Sequence, residues 1–485
     1  MTDIATPPAA TAAVDRIPLR VGSTGDWAEV RSPFSGDVVG EVELADATVV
    51  DQVLGVQRAL FTDRARHLPH HERAAILRRA AALAADRAEA LALQVALEGG
   101  KPLADARVEV ARGINGLELA AEEGVRLHGE EVPMRATAAA AGRLAFTTRE
   151  PIGLVAAVSA FNHPFNLIVH QVAPAVAAGC PVAVKPASAT PLSAHALVDL
   201  LIEAGLPPEW SVCLPMPGRV AESLVTDPRI AFLTFIGSGE VGWGLRRKVA
   251  DGVRCAMEHG GAAPLIVDAG ADLAALVPKI VKGGYYHAGQ VCVSVQRVFA
   301  VGAIRDELVD RLRAAVARLV VGDPTDPATE VGPLITQTEA DRVAAWVDEA
   351  VQAGASLVAG GAALDRQCYA PTILVDPPVG AKVRSQEVFG PVVDVVGVAD
   401  LDAAIAAANE VPFSFQASIC TPDVTRAMYA AQRIDANAVM VNDHTAFRVD
   451  WMPFGGRRVS GLGLGGIPHT LAEMTAEKLI VLPAP

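Results

Sequence analysis

None of the six cysteines, at positions 180, 213, 255, 292, 368 and 420, forms a C-x-x-C pair with another. That spacing argues against a zinc cage or a disulfide framework. No metal is therefore expected, and a reducing cytoplasm is the expected location. Basic excess is missing too: the net charge is −14, and nucleic-acid affinity draws on clustered Lys and Arg that neutralise phosphates, so no nucleic-acid partner is expected. No uninterrupted apolar run reaches the length of about 20 residues that spans a bilayer, which excludes a membrane partner of that kind. The opening MTDIATPPAATAAVD lacks the basic-then-apolar order of a secretory signal and reads as a short flexible lead. There is no internal repeat and no low-complexity linker.

What is present is the material of a large α/β protein. A chain of 485 residues exceeds a single hydrophobic core and predicts two or three domains. Residues 46–130 carry Ala, Leu and Arg at helical spacing, with the charges expected on a solvated face and a Gly pair suited to a helix end. The stretch EEVPMRATAAAAGRLAFTTREPIG predicts an extended hairpin leaving the body, a shape that pairs with something. From residue 154 short apolar runs alternate with helix-length segments: LVAAVSAF, a helix from about Asn166, PVAVKP, a helix from about Ser193, SVCLPMP, IAFLTFIGS, a helix from Glu240, and RCAMEHGG. This rhythm predicts a doubly wound parallel sheet, which binds ligands at the carboxyl ends of its strands. A second α/β unit is expected from about Leu265 to Asn442, with a helix near 304–320 and strands at QRVFAV, ILVDP and AVMVN. The tail AEMTAEKLIVLP predicts an apolar strand free to join a neighbouring sheet.

Three constellations carry chemistry. In FIGSGEVGWGL a strand ends at Gly237-Ser238-Gly239 and a helix begins, so backbone N–H groups there are able to approach a pyrophosphate. The spacing is not G-x-G-x-x-G, and glycines at a strand-to-helix turn more often mark only a tight turn. In KPASATP, Lys185 suits ribose hydroxyls or a phosphate, and Ser188 offers a neutral hydroxyl where an acid would repel a 2′-phosphate; a solvent-exposed turn is the bland alternative. In YYHAGQVCVS, Cys292 follows a Gly-Gln turn, and a thiol adds readily to an aldehyde carbonyl. Glu258 of AMEHGG and Asn162 of AFNHPF offer a general base and an amide donor for the resulting oxyanion. A packed thiol, a cap carboxylate and a turn Asn are their structural alternatives.

Taken together, AFNHPFN, KPAS, FIGSGEVG, MEHGG, GQVC, QEVFGPV, VNDH and PFGGRRVSGLGLGG occur in the order found in the aldehyde dehydrogenase superfamily, and the resemblance covers nearly the whole chain. Glu258 and Cys292 stand 34 positions apart, as that family's base and nucleophile do. The resemblance implies an α/β fold with a Rossmann-type NAD(P)-binding domain (1–130 and 150–257), an α/β catalytic domain (258–467) and a small β oligomerisation arm (131–149 and 468–485). It implies NAD or NADP as cofactor, a small aldehyde as substrate, and a homodimer or homotetramer built through the arm. Cys292 then matches the nucleophile, Glu258 the base that activates the hydrolytic water, and Asn162 the oxyanion donor beside the Cys292 N–H. Lys185 matches the adenosine-ribose contact, Gly237 and Ser238 the pyrophosphate turn, and Glu387 and Phe389 the nicotinamide-ribose clamp. Ala160, Phe161, Gly218 and Val241 complete the implied cofactor contacts.

Departures from the family pattern bear on selectivity. Ser188 stands where many NAD-preferring members have Glu, Ala262 replaces a frequent Lys, and His163 replaces a frequent aromatic. Val291 beside the nucleophile argues against a phosphate-binding Arg there. HTAFRVDWMPFGG is similar to the lactaldehyde and non-phosphorylating glyceraldehyde-phosphate branches, which makes Arg448 a substrate contact; an ion pair with Asp450 is the structural alternative. His163, His287, Phe447 and Trp451 are further candidates for the pocket wall. A CoA-acylating enzyme is one rival, weakened by the presence of Glu258, and a non-catalytic relative is another.

Overall fold

The computed structural model describes residues 15–483; the expected flexible lead lies, but for its last residue, outside them. Strands Leu154–Val158, Val182–Lys185, Ser211–Cys213, Ile230–Ile236 and Arg254–Glu258 run parallel. In space the third, second, first, fourth and fifth lie side by side, and the short strand Gly461–Leu462 adds antiparallel to the last. Strand order reverses between Leu154–Val158 and Ile230–Ile236, opening a crevice at their carboxyl ends. Alternate residues face opposite sides. Val155, Ala157, Val182 and Val184 pack under the helices of 70–126 and under Asn166–Ala178, whereas Ala156, Val158, Ala183 and Leu233 meet Ala47–Thr62 and Gly218–Val225.

The second sheet has seven strands in the order Ser356–Ala359, Thr372–Val375, Val392–Val398, Val295–Val301, Ala263–Val267, Gln416–Cys420 and Ala438–Val441. All but the first pairing are parallel. Helices Leu273–Tyr285, Ile304–Val316 and Gln337–Gln352 cover one face, and Leu401–Ala408 covers the other. The expected hairpin is present as Glu131–Val132 against Arg143–Pro151. The terminal strand Thr475–Pro483 pairs with that hairpin of its own chain, Thr475 opposite Pro151 and Pro483 opposite Arg143. Among the described residues no helix is long and apolar enough to cross a membrane.

Several expectations need correction. The helix expected to reach 320 ends at Val316, and the one expected from Glu240 starts at Gly239. A three-stranded sheet of Arg16–Ile17, Trp27–Arg31 and Val38–Glu43 precedes the first helix, and the second sheet gains Ser356–Ala359, Ala263–Val267, Val392–Val398 and Gln416–Cys420. The last two are largely buried runs that period-two patterning does not mark. Charges in 70–126 do not all face solvent. Glu98 is fully buried, accepting from the N–H groups of Leu192 (2.8 Å) and Ser193 (2.9 Å) at the start of a helix. Lys101 and Glu109 form a buried ion pair, and Glu109 also accepts from the N–H groups of Phe165 and Asn166. Helix starts leave donors unsatisfied, and a buried carboxylate supplied by another helix satisfies them.

Candidate active site

One cavity of about 1140 Å³ runs from the crevice of the first sheet to the edge of the second, lined by Lys185 and Ser188 at one end and by Cys292, Glu258, Asn162 and Arg448 at the other. The turn that carries the thiol is built from three consecutive residues in the left-handed region: His287 (φ 48°), Ala288 (φ 55°) and Gly289 (φ 70°). Only glycine fits at 289, since a Cβ there would collide with the Gly390 carbonyl. Gln290 ties the turn down by accepting from the Ile335 N–H (2.9 Å) and donating to the Pro333 carbonyl (3.2 Å). Asn162 Nδ2 donates to the Gln290 carbonyl at 2.9 Å. The amide of the first sheet's crevice is therefore fastened to the turn that carries the thiol.

Glu258 closes its strand, so its carboxyl projects from the carboxyl end of the sheet. Burial raises its pKa; the Arg448 cation opposes that shift and Glu473 adds to it. Cys292 is likewise pushed well above the ordinary thiol range, by burial first and then by the Glu387 and Glu258 carboxylates. The Cys292 thiol is thus biased toward its protonated form, with the Glu387 and Glu258 carboxyls near it. Burial lifts Glu387 to about 8; its Oε1 accepts from the Gly261 N–H at 3.2 Å.

The residues at the other end fit a dinucleotide. Gly237 and Ser238 join the strand to the helix Gly239–Arg246, whose N-terminus faces the cavity; helix N-termini favour anionic phosphates. A Cβ on Gly237 would press to 2.9 Å from the Phe235 ring, and Gly218 has open space beside it. Lys185 lines the cavity with its pKa lowered by burial alone. Ala160, Phe161, Val241, Glu387 and Phe389 also line it, the Phe161 and Phe389 rings meeting edge to face at 5.8 Å.

The expected substrate residues divide. His163 lines the cavity, with Nε2 3.0 Å from the Tyr286 hydroxyl. His287 and Trp451 do not line it: the His287 ring is fully buried without a hydrogen-bond partner, and Trp451 is 54 % exposed. Phe447 is also exposed and outside the lining. The His287 ring packs edge to face against His163, a residue of the cavity lining, with their centroids 6.4 Å apart. Arg448 lines the cavity, its guanidinium carbon 3.4 Å from the Phe454 ring centroid. Asp450 does not pair with it. Instead Asp450 accepts from Arg112 (2.6 Å) and His170 (2.7 Å). Arg448 keeps one polar contact, Nη2 to His170 Nδ1 at 3.3 Å, and its buried Nε has no partner.

Sequence reading missed Arg112 and His170. A faint signal existed for the first. Arg112 adjoins Gly113 and Gly116, where a Cβ would press on the Phe165 ring (2.6 Å) and on Val169 (2.9 Å). Glycines three apart on a charged helix mark a close helix contact, here with Asn166–Ala178.

The aldehyde dehydrogenase family model matches residues 21–480. This chain belongs to the aldehyde dehydrogenase family. It is 37 % identical over 462 residues to a 3-sulfolactaldehyde dehydrogenase of Priestia aryabhattai, covering 95 % of this chain and 96 % of the relative. Aldehyde dehydrogenase 21 of Physcomitrella patens, solved with its reaction product succinate, superposes with a TM-score of 0.93 at 34 % identity, covering 98 % of this chain and 99 % of that one. A glyceraldehyde-3-phosphate dehydrogenase of Methanocaldococcus jannaschii complexed with NADP gives a TM-score of 0.90 at 31 % identity, covering 96 % and 99 %. The protein is an NAD(P)-dependent aldehyde dehydrogenase that oxidises an aldehyde to a carboxylic acid. The relatives do not favour the rival readings.

Proposed function

We propose that this dehydrogenase oxidises a short aldehyde bearing a single negative charge, through a thioester on Cys292. The observation that carries the reading is the convergence of Cys292, Glu258, Asn162 and Arg448 on one end of one cavity. The Cys292 sulfur adds to the aldehyde carbon while the thiol proton passes to a neighbouring carboxylate. Asn162 Nδ2 and the Cys292 N–H hold the oxyanion. When bound, NAD(P) would supply the acceptor for the hydride that leaves this carbon as the thioester forms. Water then attacks the thioester, Glu258 takes its proton, the C–S bond breaks, and the acid leaves with Cys292 restored.

Charge balance supports the substrate class. At the substrate end Arg112 is neutralised by Asp450, and burial lowers His170 to about 4 so that it is neutral. Arg448 remains as the one cation there with no carboxylate within ion-pair distance among the described residues, Glu258 and Asp450 acting on it at longer range. Val291, buried beside the thiol, adds no second charge. One unpaired guanidinium matches a carboxylate or sulfonate better than a phosphate dianion. Ser188, exposed at the cofactor end, leaves room for the 2′-phosphate of NADP.

The cofactor domain is read as 1–130 with 150–257, the catalytic domain as 258–467, and the arm as 131–149 with 468–485. The outer edge of Thr475–Pro483, with Leu479, Val481 and Leu482 exposed, supports a homodimer or homotetramer assembled through that arm. Six unpaired thiols support a cytoplasmic location. The test is aldehyde-dependent NAD(P)H formation by wild type, Cys292→Ala and Glu258→Gln. Cys292→Ala is expected to be inactive, and Glu258→Gln to release one equivalent of NAD(P)H and then stall. Sustained turnover by Cys292→Ala would overturn the mechanism.

A further inference from the structure

Each turnover leaves a proton on Glu258 that has to reach bulk water. The cavity in front of Glu258 is the one that receives aldehyde and cofactor, so an outlet on its far side would work with both in place. Arg254, Ala256 and Glu258 share one face of their strand, because side chains alternate. Gly463-Leu464-Gly465 crosses that face. A Cβ on Gly465 would collide with Glu258 Oε1, and a Cβ on Gly463 would lie 3.0 Å from Glu473 Oε2 and 3.3 Å from the Ala256 Cα. Glu473 Oε1 accepts from the Leu464 N–H at 3.0 Å. Two carboxylates thus flank one three-residue segment, offset by two strand residues or about 7 Å. Glu473 also lines a second cavity of about 480 Å³ with Arg149, Arg254, Thr475 and Glu477, none of which lines the first.

We propose that Glu473 is the proton outlet of Glu258, passing the proton across the gap beside Gly463 and Gly465 to the second cavity. The proton taken from the hydrolytic water moves from Glu258 through bridging water to Glu473, and from Glu473 to solvent between Arg254 and Glu477; no electrons move. Burial raises the pKa of both carboxyls, which makes Glu473 a stronger proton acceptor than a solvent-exposed carboxylate. Arg254 opposes the rise at Glu473, and Arg448 opposes it at Glu258. The inference rests on the reading of Glu258 as the base.

The test is Glu473→Gln, which keeps an oxygen for the Leu464 N–H. Expected are an unchanged first-turnover burst of NAD(P)H, a steady-state rate lower by about tenfold, less than the roughly 10²–10⁴-fold that a direct general base contributes, and an acyl-enzyme detectable by mass spectrometry during turnover. Small buffers such as imidazole or formate should restore the variant's rate in a concentration-dependent way and leave wild type unchanged. A wild-type rate in Glu473→Gln, or a lost rate that no buffer restores, overturns the outlet. Glu258→Gln separates the two ideas: if it hydrolyses the thioester normally, the base assignment fails first.

Discussion

Replacing Arg448 by Met tests the substrate reading most directly, because it deletes one charge while keeping an apolar stem against Phe454. In the structure Arg448 stands without a carboxylate, held by Phe454 and one bond to His170. A substrate anion about 4 Å from the guanidinium gains about 4 kcal/mol at an effective dielectric of about 20. At about 1.4 kcal/mol per decade this is close to a thousandfold in kcat/KM, reduced once water enters the space the side chain vacates. A loss of roughly 10²–10³ is therefore expected for an aldehyde carrying a carboxylate or sulfonate. For a neutral aldehyde of equal length the change should stay within a few-fold. Arg448 also holds the Glu258 pKa down, so the variant's activity should begin only at higher pH, and the comparison belongs on the alkaline plateau. Arg448→Lys should recover part of the loss, since it restores charge without the planar stack. An equal loss for charged and neutral aldehydes would refute the argument and make Arg448 a packing residue.

Other consequences follow at separate sites. Ser188→Glu places a carboxylate at the exposed end of the cofactor cleft and should lower kcat/KM for NADP far more than for NAD, read from the ratio of the two; an unchanged ratio would remove Ser188 from the 2′ position. His170 is buried and lowered from 6.5 to about 4, by burial first and then by the Arg448 cation. The folded protein keeps it neutral while the unfolded chain protonates it, so stability falls as pH drops from about 6.5 toward 4, by up to about 3 kcal/mol at 1.36 per unit. His170→Asn should flatten the decline of Tm over that window, and an unaltered slope would show that His170 does not contribute to it.

Most of the first sheet was legible because its strands are short apolar runs bounded by Gly or Pro, with helices between them at regular intervals. The Cys292 turn was legible too, since a Gly-Gln pair stands just before it in the sequence. The strand Val392–Val398 escaped notice because Asp394, a fully buried carboxyl, interrupts its apolar run. Other buried charges escaped for a different reason. Glu98 and Glu109 look like surface residues of an amphipathic helix, and only the helix starts they cap, 94 and 56 residues away, explain them.

The sequence by itself determined the fold class, the family and the candidate nucleophile, base and oxyanion donor, because local spacing and motif order encode turns and strand ends. Tertiary structure decided how charge is shared around the substrate. Asp450 lies two positions from Arg448 yet is claimed by Arg112 from one helix and His170 from another. Which cation a buried carboxylate neutralises depends on distances of a few ångströms between elements far apart in the chain. That partition, leaving Arg448 without a carboxylate in ion-pair distance, is the physical ground on which a singly charged substrate is proposed.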